Sequence, residues 1–365
     1  MTNGVDFYQG ACTDLAIPAG RCEVFIEGVP CPDLEVAEVV CQGRPGFGYA
    51  KLRYNPTTQA GNIEIAEKEI EICRFVNTGL GEVKIEPVWV FAGRIEEVDT
   101  VLRSDKWEFS ATARDFSARL DSEIIDGKRI ATGGGKSIFW LACAVVFNED
   151  GQPNASIQQV QHNGRSYIGF TLEGGEAKHW TTAQILEYLL SEYTLYGQLQ
   201  VPPTEYSGAL TGRNVADELA VDGKSVLDAL GDCCEQTGLE FVFRPTQTET
   251  GPGQCIEFYR PGKGRSVELN LQYAGEKLSI SRTNVCELES ERKNQPAGAG
   301  IIEVINVRTP ILATHYEVGD RVTTSPDSRD VLGIRRDSRS IFWIDRVRLD
   351  FERQCTELRI LRKRT

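Results

Sequence analysis

Trp107-Glu108-Phe109-Ser110-Ala111-Thr112-Ala113-Arg114 decides the fold class. Apolar and small side chains take every second position and polar ones the positions between, which is the period of a strand with one buried face. Working outward, Ala50, Leu52 and Tyr54 alternate with Lys51 and Arg53 until Asn55-Pro56 ends the run, since proline cannot donate to a ladder. Cys22, Val24 and Ile26 alternate with Glu23 and Phe25, a Glu27-Gly28 turn follows, and Leu34 with Val36 resumes the pattern. Ile63 and Ile65, then Ile70 and Ile72, mark further segments, and the run 83–95 is interrupted at Pro87 and Gly93, which predicts a bulge or an edge. Many short strands with turn residues between them predict a small barrel or sandwich.

The character changes after Ile125. The run 136–147 is apolar without a period of two and too long for a typical strand, so a buried helix is predicted there. Thr181 and Gln184 form a capping box ahead of Ile185, Leu186, Leu189 and Leu190, which predicts a second helix ending near Gly197. A third spans 224–237, with Val226, Leu227, Leu230 and Cys234 at helical spacing and Gly238 as a left-handed cap. A strand at 239–243, a polar loop at 246–254 and a strand at 255–259 follow.

From Ser266 the period of two returns with Val267, Leu269 and Leu271, and later Leu278 and Ile280; 295–300 reads as a Pro/Gly/Ala linker. Two long strands close the chain: 341–351, with Trp343, Val347, Leu349 and Phe351 on one face, and a second through Leu358 and Ile360. Val90-Phe91 to Asp99 is similar to Ile341-Phe342 to Asp350, a hint of duplication. The expectation is an α+β, β-rich protein: two small antiparallel β-barrels flanking a mixed α/β middle domain, with domains at 1–125, 126–265 and 266–365, not necessarily continuous.

At 365 residues such a chain buries cores without disulfide staples. A net charge of -13 argues against general affinity for nucleic acid, which needs clustered cations, although 335–365 is locally basic. No charged segment followed by an apolar core opens the chain, and no window approaches 18 uncharged apolar residues, so neither a signal peptide nor a membrane anchor is expected. The eleven cysteines are scattered and form no CxxC pair, so they read as reduced, packed thiols and no cofactor is expected. The alternative is a zinc or iron–sulfur site built from Cys12, Cys22, Cys31 and Cys41 converging across a barrel.

Candidate catalytic patterns fail on spacing. Gly133-Gly134-Gly135-Lys136-Ser137 lacks the earlier glycine of a phosphate loop, whose place is held by Ile130. His162, His179 and His315 show no HxH or HExxH spacing. The run from Gly164 through Ser166 to Gly169 is no nucleophile elbow, and acidic pairs such as Asp105 with Glu108 or Asp217 with Glu218 carry no specificity among 53 carboxylates. No catalytic, cofactor-binding or metal-ligating residue is therefore nominated, and the chain is read as not an enzyme.

Three segments carry a resemblance. Val90-Phe91-Ala92-Gly93-Arg94-Ile95 through Asp99 and Trp107 to Ala113-Arg114-Asp115 and Leu120, then Gly223-Lys224-Ser225-Val226-Leu227-Asp228-Ala229-Leu230 to Thr237-Gly238-Leu239, then Tyr316-Glu317-Val318-Gly319-Asp320-Arg321-Val322 with Trp343-Ile344 and Leu358-Arg359-Ile360, occur in order. They resemble the bacteriophage tail baseplate hub proteins of the late control protein D family, related to the hub portion of type VI secretion spikes. The cysteine richness and the loop-rich stretch 151–212 depart from that pattern.

The resemblance implies a structural homotrimer whose paired barrels make a ring joining a hexameric tail tube to a threefold tip. It further implies a distal tail or tail tube protein, central tip or fibre proteins and the tape measure protein as partners. DNA would pass through the lumen without specific binding, in a virion tail tip assembled in the host bacterial cytoplasm. Alternatives are a tail-associated glycan or cell-wall hydrolase, or the hub of a contractile injection or type VI spike.

Overall fold

The computed structural model describes residues 22–43, 46–54, 65–77, 85–103, 106–125, 128–133, 137–142, 146–148, 157–162, 165–170, 180–193, 218–248, 251–270, 287–292, 301–323 and 340–364. The chain divides into two compact units, 1–116 with 242–365, and 117–241. In chain order the first unit opens with β1 (Cys22–Ile26), β2 (Val29–Pro30), β3 (Leu34–Gln42), β4 (Tyr49–Tyr54), β5 (Glu69–Asn77), β6 (Ile85–Arg103) and β7 (Lys106–Arg114). The second contains α1 (Ser117–Ser122), β8 (Lys128–Gly133), β9 (Ser137–Ala142), β10 (Val146–Phe147), β11 (Ile157–His162), β12 (Arg165–Phe170), α2 (Thr182–Tyr193), β13 (Leu219–Ala220) and α3 (Val226–Thr237). The chain then returns through β14 (Glu240–Thr248) to β15 (Gly251–Tyr259), β16 (Ser266–Glu268), β17 (Glu287–Arg292), β18 (Ile301–Thr309), β19 (Arg321–Thr323), β20 (Ser340–Asp350) and β21 (Cys355–Arg364).

The protein is β-rich, as the alternation predicts, and its main sheet is large and antiparallel. Thirteen strands run in the order β17-β18-β21-β20-β3-β4-β7-β6-β5-β1-β2, with β19 branching from β20 and β16 pairing parallel to β19. Strands from both ends of the chain thus share one sheet, joined where β3 pairs with β20. Among the described residues the path is open, with β17 and β2 at its ends. Ala50, Leu52, Ala111 and Ala113 are buried while Lys51 and Arg53 are exposed, so the quoted alternation reads the faces correctly. Glu27 and Gly28 both take positive φ, 51° and 77°, which suits the two-residue turn between β1 and β2.

The sheet contains one five-strand pattern twice. The order β3-β4-β7-β6-β5 is matched strand for strand by β17-β18-β21-β20-β19. Each hairpin has a bulge at the same place: β6 against β7 shifts register between Ile95 and Glu97, and β20 against β21 between Ile344 and Arg346. The turn ahead of each bulge is also the same. Ile95 N donates to Lys68 O (2.9 Å) and Glu67 N to Ile95 O (2.8 Å); Ile344 N donates to Asp320 O (2.9 Å) and Gly319 N to Ile344 O (2.8 Å). Glu67 and Gly319 both have positive φ, 64° and 93°. The ladders therefore equate Ile95 with Ile344 and Gly93 with Phe342, a different alignment from the one the sequence suggests, which pairs Phe91 with Phe342.

Three local expectations are corrected. Where the apolar run 136–147 is described it is not a helix: Ser137–Ala142 is strand β9, paired with β8 from Gly133↔Ser137 to Lys128↔Ala142. Pairing with β8 gives Ile138, Phe139 and Trp140 a strand partner, and such residues favour strands. The polar stretch 246–254 is mostly ladder, because β14 and β15 extend through it and pairing satisfies their backbone whatever the side chains. Trp343 does not share a face with Val347 and Leu349: the extra residue, Asp345, flips the alternation, so Trp343 lies on the side of Arg346 and Arg348.

The other two predicted helices are found. Thr181 N donates to Gln184 Oε1 (3.0 Å) and Gln184 N to Thr181 Oγ1 (3.3 Å), the reciprocal cap predicted for α2. Ser225 caps α3 by accepting from Asp228 N (3.1 Å), and Gly238 closes it at φ 65°. In the second unit Asn148 accepts from Trp180 N (2.8 Å) and donates to Trp180 O (3.2 Å), fixing a cluster of Phe147, Trp180 and Tyr188 against α2. No helix among the described residues is long and apolar enough to cross a membrane.

Gly93 packs closely against the end of β7: a Cβ there would lie 2.2 Å from Arg114 O. Gly93→Ala is expected to lower unfolding free energy by about 1–3 kcal/mol, the usual cost of overpacking. Urea denaturation measures it, and an unchanged midpoint would show that the strands can separate freely.

Candidate functional site

Three buried carboxylates among the described residues, Glu38, Asp345 and Asp350, lie along the junction of β3 and β20. Asp350↔Glu38, Leu349↔Val39, Arg348↔Val40, Val347↔Cys41 and Arg346↔Gln42 face one another there. Val39, Val347 and Leu349 enter the core, which leaves Glu38, Arg346 and Arg348 on the opposite face. Glu38 is buried, pairs with Lys51 Nζ (2.7 Å) and accepts from Arg348 Nε (2.7 Å). Arg348 also donates to Glu357 Oε2 (2.8 Å), so one guanidinium links β3, β20 and β21. Burial alone would raise the Glu38 carboxyl, but the bonds from Lys51 and Arg348 outweigh it and hold it below the usual carboxylate range.

At the bulge, Gly43 N donates to Asp345 O (3.0 Å), and the buried Asp345 carboxylate pairs with Arg359 across the hairpin. Burial raises the Asp345 carboxyl above its ordinary value, more than Arg359 lowers it. The same bulge marks a change of partner. Before it β20 pairs with β19, at Arg321↔Trp343, and after it with β3.

The resemblance motifs fall on similar clasps. Asp115 Oδ2 accepts from Gly48 N (2.8 Å), and a Cβ on Gly48 would lie 2.3 Å from that oxygen. Buried Asp320 closes the turn before β19 by accepting from Glu317 N (3.0 Å) and pairs with Arg265 (2.8 Å). Under the sheet, Arg244 donates to Val318 O (2.7 Å) and pairs with Glu257 and Glu317, beside a pocket of about 160 Å³ lined by Val39, Cys41, Trp89, Tyr316 and Leu349.

Asp350, Cys355 and Glu357 place their ligand atoms within 4.8 Å of one another. Their carboxylates face arginines instead of a gap: Arg348 and Arg353 approach both, and Arg308 approaches Glu357. That charge balance suits a closed ion-pair network better than a cation site.

Among the sequence-flagged cysteines, Cys22 lies in β1, Cys31 just after β2 and Cys41 in β3; Cys12 lies outside the described residues. Burial pushes the Cys22 and Cys41 thiols up to about 12, and the Cys41 thiol donates to Phe243 O (3.7 Å). None of the three belongs to the Asp350 group. His162 ends β11 opposite Arg165, and His315 stacks on Tyr316 at 4.1 Å between ring centroids. His179, Asp105, Asp217 and 134–136 lie outside the described residues. Sequence reasoning missed Glu38, Asp345, Arg348 and Arg359, whose only signal is charge at positions that alternate with apolar ones.

No family model matches the sequence, and no curated protein matches it. Solved structures do match. A tail protein from Neisseria meningitidis MC58 superposes with a TM-score of 0.51 at 11% identity, over 93% of this chain and 95% of that one. The 43 kDa tail protein of prophage MuSo2 from Shewanella oneidensis gives 0.51 at 9% identity, over 93% and 97%. A type VI secretion component of E. coli, described as structurally similar to the T4 bacteriophage tail proteins gp27 and gp5, gives 0.50 at 13% identity, over 94% and 76%. The chain has the fold of these phage tail and secretion proteins, which bears out the resemblance at the level of fold.

Two outcomes are expected at the junction. Asp345→Ala strands Arg359 and lowers stability by about 3–5 kcal/mol, and Asp345→Asn by less, since an amide still accepts from the guanidinium; equal losses in urea melts would show that the pair carries no specific role. Because the folded Glu38 carboxyl titrates below its unfolded value, its contribution is complete above the unfolded pKa and is lost as pH falls through the folded one. Glu38→Gln should therefore flatten the fall in stability below roughly pH 5, and a wild-type acid limb that persists unchanged would exclude that origin.

Proposed function

We propose that this chain is a non-catalytic building block of a phage tail tip, a baseplate hub whose three copies form a ring between a hexameric tail tube and a threefold tip. One observation carries the reading: a five-strand pattern occurs twice in one sheet, within a fold shared with phage tail proteins. Two repeats in each of three copies present six similar faces around an axis that is only threefold, so the ring can meet either symmetry. In the proposed assembly each five-strand set closes as a small barrel, which removes exposed ladder edges.

The tube protein, a central tip or fibre protein and the tape measure protein are the proposed neighbours, in a virion tail tip assembled in the host cytoplasm. A net charge of -13 suits a lumen through which DNA slides without adhering. The ionisable clusters support a structural role, because their carboxylates are engaged by arginine or lysine across strands. The type VI hub is the second reading, favoured by the E. coli component of similar fold.

Mass photometry of the purified chain is expected to show a species of three copies, and a monomer at every concentration, alone or with tube protein, would overturn the proposal. Peptidoglycan zymography is expected to be blank. A clearing band that tracks the protein would favour a cell-wall hydrolase instead.

A further inference from the structure

The duplicated pattern has one junction inside the chain and the materials for a second. Inside, the last part of β20, beyond its bulge, pairs along its free side with β3, the first strand of the other repeat. The equivalent of β20 is β6, whose last part, beyond its own bulge, pairs with β7 on one side; β5 covers only Ile85 to Arg94 on the other. The equivalent of β3 is β17, paired on one side with β18 and last in the sheet. Among the described residues, each repeat thus leaves unpaired the edge that its counterpart uses.

We infer that β6 beyond its bulge and β17 are the two halves of a junction between neighbouring copies of this chain, repeating the β20–β3 pairing head to tail. The inference rests on the hub reading above and names its partner surface as a second copy.

The ladders fix the register. Ile344 corresponds to Ile95, so Val347, Arg348 and Leu349 correspond to Val98, Asp99 and Thr100. Matching Val39↔Ala50 to Ser290↔Ile305, and Ala50↔Ala113 to Ile305↔Ile360, makes Ser290 the counterpart of Val39 and Glu291 that of Val40. The pairing Arg348↔Val40 then becomes Asp99 of one copy opposite Glu291 of the next, with Thr100 opposite Ser290.

Exposure agrees with this placement. Val98 is 42% exposed, one of few large apolar side chains in water among the described residues, whereas Val347 is 6% exposed at the internal junction. Glu96 to Thr100, Glu289 and Glu291 are all exposed. A strand laid along β6 would cover Val98 as β3 covers Val347. Charge sets the strength: Arg348 meets Glu38 inside the chain, but Asp99 would face Glu291, so the external junction is the weaker one. Head-to-tail pairing of unlike edges also closes into a ring where the rotation allows.

The test pairs Asp99→Cys with Glu291→Cys in the full chain. Under mild oxidation the double variant is expected to give covalent multimers that collapse on reduction, and neither single variant should. Val98→Asp, a change at an exposed position, should weaken association at least about tenfold in mass photometry, and Glu291→Lys should tighten it about threefold. If the wild type forms oligomers, yet the double variant does not cross-link and Val98→Asp associates normally, this junction is wrong while the hub reading stands. If the wild type never associates with itself, the hub reading fails and this inference with it.

Discussion

β20 has to satisfy two different partners along one side, and the structure of the first unit follows from how it does so. A strand has one row of donors and acceptors per edge, and buried members of that row must be paired. Up to Ile344 the row is met by the turn at Gly319 and Asp320 and by β19; from Arg346 onward it is met by β3. The residue between, Asp345, cannot belong to either ladder. It leaves the pleat as a bulge, its carbonyl taken by Gly43 and its carboxylate by Arg359. Without that change of partner β3 would have no place, and the two ends of the chain would lie in separate sheets.

The same physics explains the polarity of the junction's outer face. Glu38, Asp345 and Asp350 are buried, and an isolated carboxylate there would be costly. The partners of Glu38 and Asp345 come from neighbouring strands, so each of those pairs is satisfied in one register only. Such pairs add little net stability over apolar packing of equal volume, whereas breaking one partner out is expensive. Selecting register is the effect best matched to their position, because the inner face at this point, with Val39, Val347 and Leu349, would tolerate a slip by two residues more readily.

The sequence showed what is local. Period two in β4 and β7, the reciprocal cap of α2 and the left-handed Gly238 depend on residues within a few positions of one another, and all are found as read. A bulge adds one residue without any signal in composition, so alternation alone puts Trp343 on the face of Val347 and aligns the duplication out of register. The unbroken apolar run at 137–142 carries no period and reads as helix, whereas pairing with β8 makes it a strand. Glu38 and Arg348 are far apart in sequence, and nothing near either residue announces the other. The fold class was therefore legible, and the ion-paired junction was not.

Comparing the two bulges shows how the repeats have diverged. Asp345 is enclosed because β3 lies alongside, and a buried carboxylate then needs Arg359. Its counterpart, Glu96, is exposed beside Arg114, whose Nε lies 3.2 Å away, and an exposed pair of that kind is worth little. Position 348 carries arginine, which complements Glu38, while its counterpart Asp99 meets water. One copy of the pattern has acquired the charges that make its edge permanent, and the other has kept an edge that is soluble by itself. Carboxylates along β6 and β17 also guard those edges against indiscriminate strand pairing, since like charges repel any copy that arrives without the remaining contacts in place.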